Sequence, residues 1–497
     1  MKLLLRFVLS LFCLILFFGL TPDALAEDVA INETNFPDDI FRSYVSDNCD
    51  RDSDGALSET EISRITIISL SNKGISSLNG IEYFSGLRHL SCSGNQLARL
   101  DVNRNTALTT LNCNNNQLTR LDLSSNAALS SLYCNSNQLT RLDISSNTAL
   151  TTLNCNSNQL TSLNVSNNTA LTTLNCSFNQ LTGLDVSNNN ELTTLNCSGN
   201  QLTSLNVNNN TALTSLSCSD NQLTSLNVSN NRALATLNCT HNPLTSLNVS
   251  NNSALTSLSC SDNQLTSLNV SNNSSLTSLS CSDNQLTGLD ISNNTALTTL
   301  NCGGNQLTGL DVSNNTALTS LDCWSNQLVN IDVSFCTCLR RLECFYNYIE
   351  TLDISNCPKL FALVYKTQPD IRGSTVRYKE PGAIINSSVT MMTIDYGVTL
   401  ITPTPDLVLP ASLNTIREEA FAGGAFHYVK LSEQTESIGL FAFADCPNLK
   451  YICIPNATTM IDDNAFGDIQ ELVIFGKAGS TADDYAYEHY LDFVPIS

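Results

Sequence analysis

The sequence predicts a solenoid. Right-handed, β-rich coils should stack so that one short strand per coil joins a parallel ladder, with a small helical cap at the N-terminal end. Three observations predict it. Thirteen cysteines, from Cys92 and Cys113 to Cys344, fall at a constant interval of 21 residues. Apolar residues keep the same beat between them. The chain of 497 residues is too long for one compact core, yet only 14% of it is charged and 6% aromatic, so Ser, Thr and Asn must supply the surface.

One period reads Leu108-x-x-Leu111-x-Cys113-x-x-Asn116-x-Leu118-x-x-Leu121-x-Leu123-x-x-Asn126, and the next repeats it as Leu129, Leu132, Cys134, Asn137, Leu139, Leu142, Ile144 and Asn147. This is the leucine-rich-repeat pattern with Cys at its third apolar position. Leu111-x-Cys113 places two side chains on one face of a short strand, and Leu121-x-Leu123 does so on the return leg. Each coil therefore turns six apolar side chains inward. One coil cannot offset the entropy of ordering its own backbone, so the coils must stack. The pattern runs from Leu87 to about Tyr365. An earlier coil with Ile65, Ile68, Leu70, Ile75 and Leu78 precedes it, which sets the array at 65–366.

Two asparagine ladders accompany the leucines, Asn95 to Asn347 and Asn105 to Asn315. An amide carries donors and an acceptor, so a buried Asn can satisfy turn backbone in its own and the adjacent coil without any catalytic meaning. The cysteine ladder reads as small apolar filler. Equivalent Cβ atoms on stacked strands lie about 4.8 Å apart, wider than the roughly 3.5–4.5 Å of a disulfide, and a linear column offers no convergent metal ligands. Cys336, Cys338 and Cys357 break the pattern; a local disulfide among them is left open.

Residues 1–26 read as a secretory signal, with Lys2 and Arg6 before the apolar run Phe7–Leu20 and Ala24-Leu25-Ala26 as the cleavage site. Residues 27–64 form the cap. Asp50-Arg51-Asp52-Ser53-Asp54-Gly55-Ala56-Leu57-Ser58-Glu59-Thr60-Glu61 matches the twelve-residue EF-hand loop. Asp50, Asp52 and Asp54 supply side-chain oxygens, Gly55 the sharp turn, Ala56 its carbonyl, Ser58 a water-mediated contact and Glu61 a bidentate carboxylate. Ile40, Phe41 and Tyr44 suggest an entering helix, and Ile62 and Ile65 an exiting one. Ser58-x-x-Glu61 is also a capping box, so an acidic turn without metal is the competing reading. One loop and four Met argue against a signalling sensor. A structural calcium ion over the solenoid's open end is expected.

The 21-residue beat stops after Tyr365. The connecting segment 367–406 has Pro, Gly and short Val/Ile/Thr stretches without a clear assignment. In 407–497 a second repeat of 22–23 residues appears: Ile416-x-x-x-Ala420-Phe421 recurs at Ile438, Ala442, Phe443 and at Ile461, Ala465, Phe466. With Cys446-Pro447-x-Leu449-x-x-Ile452-x-Ile454-Pro455 and the run Phe475–Ser480, this segment resembles BspA-type leucine-rich repeats. The 87–365 array resembles the shorter-coil repeats found beside them in bacterial extracellular leucine-rich-repeat proteins, and an EF-hand-like cap also fits that group. The resemblance implies a solenoid over most of the mature chain, and adhesion or binding to host or matrix surfaces.

Composition narrows the function. A formal charge of −22 disfavours nucleic acid and anionic membranes. Catalysis is not expected: the four His, His89, His241, His427 and His489, lie in no H-E-x-x-H, no G-x-S-x-G occurs, and the ladder cysteines face the core. The expected protein is secreted or surface-exposed, without a membrane span after signal cleavage, monomeric, and engaged with an extracellular protein or glycan. A passive surface spacer is the alternative; an ice-binding face is weaker, because Thr and Ser alternate without a strict two-Thr pattern. The outward row is monotonous (Asn112, Asn154, Asn175, Ser217, Ser259) until Asp322, Trp324, Arg340, Arg341, Glu343, Phe345, Tyr346 and Tyr348. Aromatics and Arg are common interface anchors, so Trp324, Arg340, Arg341, Phe345 and Tyr346 are the candidate ligand residues. The competing reading packs them against the 367–406 segment.

Overall fold

The computed structural model describes residues 28–349, 351–354, 356–357, 364–365, 391–393, 399–401, 407–409, 413–469 and 471–496. The segment 1–26, expected to be a secretory signal, and most of 367–406 lie outside the described residues. The chain forms two compact units, Met1–Gln201 and Leu202–Ser497.

The first unit opens with the cap. Strand β1 (Val29–Ala30) pairs antiparallel with β2 (Ala56–Leu57) inside the acidic loop. Helix α1 (Asp39–Asn48) enters the loop and α2 (Glu59–Arg64) leaves it. Phe36, Phe41, Val45 and Leu57 form its core. Three-residue strands follow, from Ile67–Ser69 and His89–Ser91 to Thr194–Asn196. They pair in parallel and in register, Ile68 with Leu90, Leu90 with Leu111, and onward to Leu174 with Leu195.

The expected inward six are buried: Leu108, Leu111, Cys113, Leu118 and Leu123 are at most 1% exposed and Leu121 is 7%. The first asparagine ladder works as its chemistry suggests. Asn116 Nδ2 donates to the carbonyls of Cys92 (3.0 Å) and Cys113 (3.1 Å), and its Oδ1 accepts from the Leu97 N–H at 3.0 Å. The second ladder departs from the expectation. Asn126 Nδ2 donates to Val102 (3.0 Å) and Asn105 (2.9 Å), both in the preceding coil, while its buried Oδ1 accepts nothing. Its two donors staple coil to coil, and no backbone N–H faces the oxygen. Outside the core, Thr172 Oγ1 donates to the Thr151 carbonyl and Thr193 Oγ1 to that of Thr172, each at 3.1 Å. The turn after each strand holds one residue left-handed, Asn115 at φ 53°, and Gly199 meets the same demand at φ 65°.

The second unit repeats this construction from Ser215–Ser217 to Arg341–Glu343. Arg341–Glu343 then pairs in parallel with Met391–Thr393, and Thr351–Asp353 with Thr399–Ile401. The C-terminal repeats build two further parallel sheets. Leu407–Val408, Tyr428–Lys430, Tyr451–Ile454, Val473–Gly476 and Asp492–Pro495 form one; Thr415–Ile416, Ser437–Ile438 and Met460–Ile461 form the other. Their repeated Phe residues stack, Phe421 on Phe443 (5.2 Å) and Phe443 on Phe466 (5.7 Å). Helix α3 (Thr481–Glu488), capped by Ser480, buries Tyr485 edge-on against Phe466. The architecture is a parallel-strand solenoid of stacked coils with few helices.

Candidate functional site: a capped solenoid with an aromatic shelf

Three features of the cap converge on the acidic loop. Ligand oxygens of Asp50, Asp52 and Asp54 lie within 4.8 Å of one another. Gly55 sits at φ 87°, and its N–H donates to Asp50 Oδ2 at 3.0 Å, which wraps the backbone around the first carboxylate. Asp50 Oδ1 is buried and accepts no hydrogen bond. An orphaned buried carboxylate oxygen among three acidic groups is what a hard divalent cation would satisfy. Partial desolvation, then the charge of Asp54, hold Asp52 above the usual carboxylate range; a cation would relieve that repulsion. Glu61 is already engaged. Its Oε1 accepts from the Arg51 N–H (2.6 Å) and its Oε2 from the Ser58 N–H (2.9 Å) and hydroxyl (2.7 Å). These bonds, the one from Arg51 foremost, hold its carboxyl down at about 2. Glu61 thus closes the loop and caps α2, and would join an ion only by sharing those bonds. Asp50, Asp52 and Asp54 fit calcium; Ala56 lies in β2 and Ser58 serves as the α2 cap.

The ladder cysteines are buried and face the core. Burial pushes the thiols of Cys113, Cys176, Cys239 and Cys281 up to about 12, so they hold almost no thiolate at neutral pH. Cys336 and Cys357 are free and occupy the second asparagine ladder. Cys357 Sγ points at the carbonyls of Val333 (3.4 Å) and Cys336 (3.6 Å), the same two offsets an Asn would reach. Cys338 is half-buried.

In the second unit three of the five candidate ligand residues, Trp324, Phe345 and Tyr346, come together. Trp324 and Phe345 each follow a buried Cys and turn away from the core, both half-buried. Their rings lie 5.9 Å apart and within 10° of parallel, and Tyr346 meets Phe345 edge-on at 5.1 Å. The indole face covers Gly303, where even a Cβ would stand 2.4 Å from the ring. Beside the rings, Arg341 reaches Asp322 (3.3 Å) and Glu343 (2.8 Å). Burial pushes the Asp322 carboxyl up to about 6 against the pull of Arg341, and Glu343 adds to the rise. Arg340 is exposed, as are Tyr346 and Tyr348. The sequence did not reveal Gly303 beneath the indole or the Asp322–Arg341–Glu343 network; only the missing side chain at a position usually held by Ser or Asn hinted at the first. It also missed His241, which lies between Asp220 (Nδ1 to Oδ1, 3.4 Å) and Asp262 (Nε2 to Oδ2, 3.3 Å).

Comparison with known proteins places this geometry. The functional domain of internalin J (InlJ) from Listeria monocytogenes, described as including a cysteine ladder, is 37% identical, with a TM-score of 0.65 over 68% of this chain and 75% of that one. The chain belongs to the bacterial leucine-rich-repeat proteins. Residues 400–489 match the family model for the BspA type leucine rich repeat region in six copies. Two further solved structures carry the same solenoid. An internalin (inlF) from Listeria monocytogenes is 26% identical, with a TM-score of 0.57 over 68% of this chain and 97% of that one. YopM, an effector from Yersinia pestis, is 24% identical, with a TM-score of 0.53 over 75% and 96%, a likeness of fold alone. Among curated proteins, internalin J of Listeria monocytogenes is 39% identical over 71 residues, 14% of this chain; the match spans only 8% of that relative's length. No helix among the described residues is long and apolar enough to cross a membrane.

Proposed function

We propose that this leucine-rich-repeat protein is a non-catalytic binding or adhesion protein of the cell exterior, with its ligand face at Trp324, Arg340, Arg341, Phe345 and Tyr346. One observation carries the reading: a near-parallel Trp–Phe pair, flanked by Arg, ends a row that Ser, Thr, Asn and one Gly hold in the preceding coils. Its likeness to internalin domains supports a protein-binding or adhesion role, and the signal-like segment 1–26 supports export. The ligand is an extracellular protein or glycan, and the solenoid is the rigid frame that presents the site. A structural calcium ion at Asp50, Asp52 and Asp54 secures the open end of the first coils.

The test is a panel of immobilised matrix proteins and glycans probed with the mature chain and with Trp324→Ala. Selective binding that falls about 30-fold in the variant, equivalent to about 2 kcal/mol, supports the reading. Binding to nothing on the panel would favour a passive spacer, and binding unchanged in the variant would move the site elsewhere.

A further inference from the structure

The ligand face has a shape that selects among ligand classes. Trp324 and Phe345 occupy the same position in adjacent coils, and their rings lie 5.9 Å apart and within 10° of parallel. Because the indole face rests over Gly303, the rings form an overlapping shelf along the direction in which coils stack, rather than the facing walls of a hollow. An apolar side chain from a protein partner anchors best in a closed pocket. A flat shelf suits a flat, C–H-rich ring.

The flank points the same way. Asn301, Asp322 and Glu343 form the row beside the rings on three consecutive strands. Arg341 links Asp322 to Glu343, so its charge is spent within the row. Asn301, half-buried, accepts the Gly303 N–H on its Oδ1 at 3.2 Å. A row of hydrogen-bonding groups whose one cation is shared by two carboxylates suits hydroxyls and amides better than an anionic group.

We infer that the shelf binds an extended, uncharged polysaccharide whose consecutive pyranose rings lie on Trp324 and Phe345, running parallel to the stacking direction. This rests on the proposed ligand face. The ring spacing, set by the coil repeat, is close to the advance per sugar of a β-1,4-linked, equatorially bonded chain. A helical α-linked glucan does not hold successive rings flat along one line.

The chain has a single Trp, so its fluorescence reports the site directly. The probes are the β-1,4-linked hexamer of N-acetylglucosamine, its monosaccharide and an α-1,4-linked glucan hexamer, titrated into the full-length mature protein. The β-linked hexamer should shift the emission saturably and bind at least tenfold more tightly than the monosaccharide or the α-linked hexamer. Raising salt tenfold should change its affinity less than twofold. Phe345→Ala should abolish the length dependence, and Trp324→Phe, followed by calorimetry, should retain most of the affinity. Equal affinity for monomer and hexamer, strong salt dependence, or no binding of the β-linked hexamer would each overturn the inference. If that hexamer fails while Trp324→Ala still removes binding to a matrix protein, the ligand face stands and the glycan assignment falls. If Trp324→Ala changes no binding, both fall.

Discussion

The carboxylate of Asp38 joins the cap to the first coil: one oxygen caps α1, and the other accepts from the Ser76 N–H at 2.8 Å and the Ser76 hydroxyl at 2.9 Å. A third donor, the Ser77 N–H, lies at 3.2 Å. Burial would raise this carboxyl, but its hydrogen bonds to Ser76, Phe41 and Ser77 outweigh it and hold the pKa below the usual value. Asp38 thus ties cap to solenoid, beside the Tyr83 hydroxyl that donates to Asn35 at 3.1 Å and the Phe36–Tyr83 ring contact.

Asp38→Ala should destabilise the cap by about 1–2 kcal/mol, through lost capping and unpaired donors at the Ser76 turn. Because the folded-state pKa is depressed, this contribution is present above about pH 4, the unfolded value, and is lost as the pH falls through the folded one. Hydrogen exchange of the Ser76 and Ser77 amides, followed from pH 6 to pH 3, checks it. Protection unchanged in the variant would contradict it.

Calcium should raise the melting midpoint. Extracellular EF-type sites bind at about 10⁻⁴ to 10⁻³ M, so about 10 mM calcium should add roughly 1.4–2.7 kcal/mol. Asp50→Ala should remove the gain. Glu61→Ala should lower the midpoint even with chelator present, because Glu61 also holds Arg51 and caps α2. A wild-type midpoint indifferent to calcium and chelator would end the proposal.

The repeat was legible because stacking coils impose one period on every buried position, and Leu111, Cys113 and Asn116 show that period directly. The loop was legible because ligand spacing is local. Asp38 with Ser76 is a contact across 38 residues between different elements, which no periodicity encodes. The half-used second asparagine ladder was equally hidden, since the sequence shows the amide but not which neighbours face it. The stretch 367–406, with no repeat and scattered Pro and Gly, offered no period to read.

Thiol chemistry gives a third expectation. Native protein should react with alkylating reagents at few cysteines, and denatured, unreduced protein at most of the thirteen ladder positions. With folded thiols raised to about 12 in Cys113 and Cys176, their contribution is complete below about pH 8.5, the unfolded value, and is lost as pH rises toward 12. Stability should therefore fall steeply in alkali. Cysteine-to-alanine changes at Cys113 and Cys176 should soften the fall, and an unchanged alkaline slope would count against buried, protonated thiols.

Asp322 titrates the opposite way from Asp38. Its carboxyl is raised to about 6, so its neutral form suits the fold and its contribution is lost as pH rises from about 4 through 6. Asp322→Asn should stabilise the fold by roughly 1–3 kcal/mol at pH 8, by about half as much at pH 5, and by little at pH 3. A loss of stability at pH 8 would show that the ion pair with Arg341 outweighs desolvation.

On the proposed ligand face, Trp324 should be open to solvent. Iodide quenching of the single Trp tests it most directly. Clear quenching is expected in the free protein, retained after moderate salt is added as a control, and reduced when a bound ligand covers the shelf. An indole shielded from iodide in the free protein would contradict it, since a covered Trp324 cannot present a binding surface.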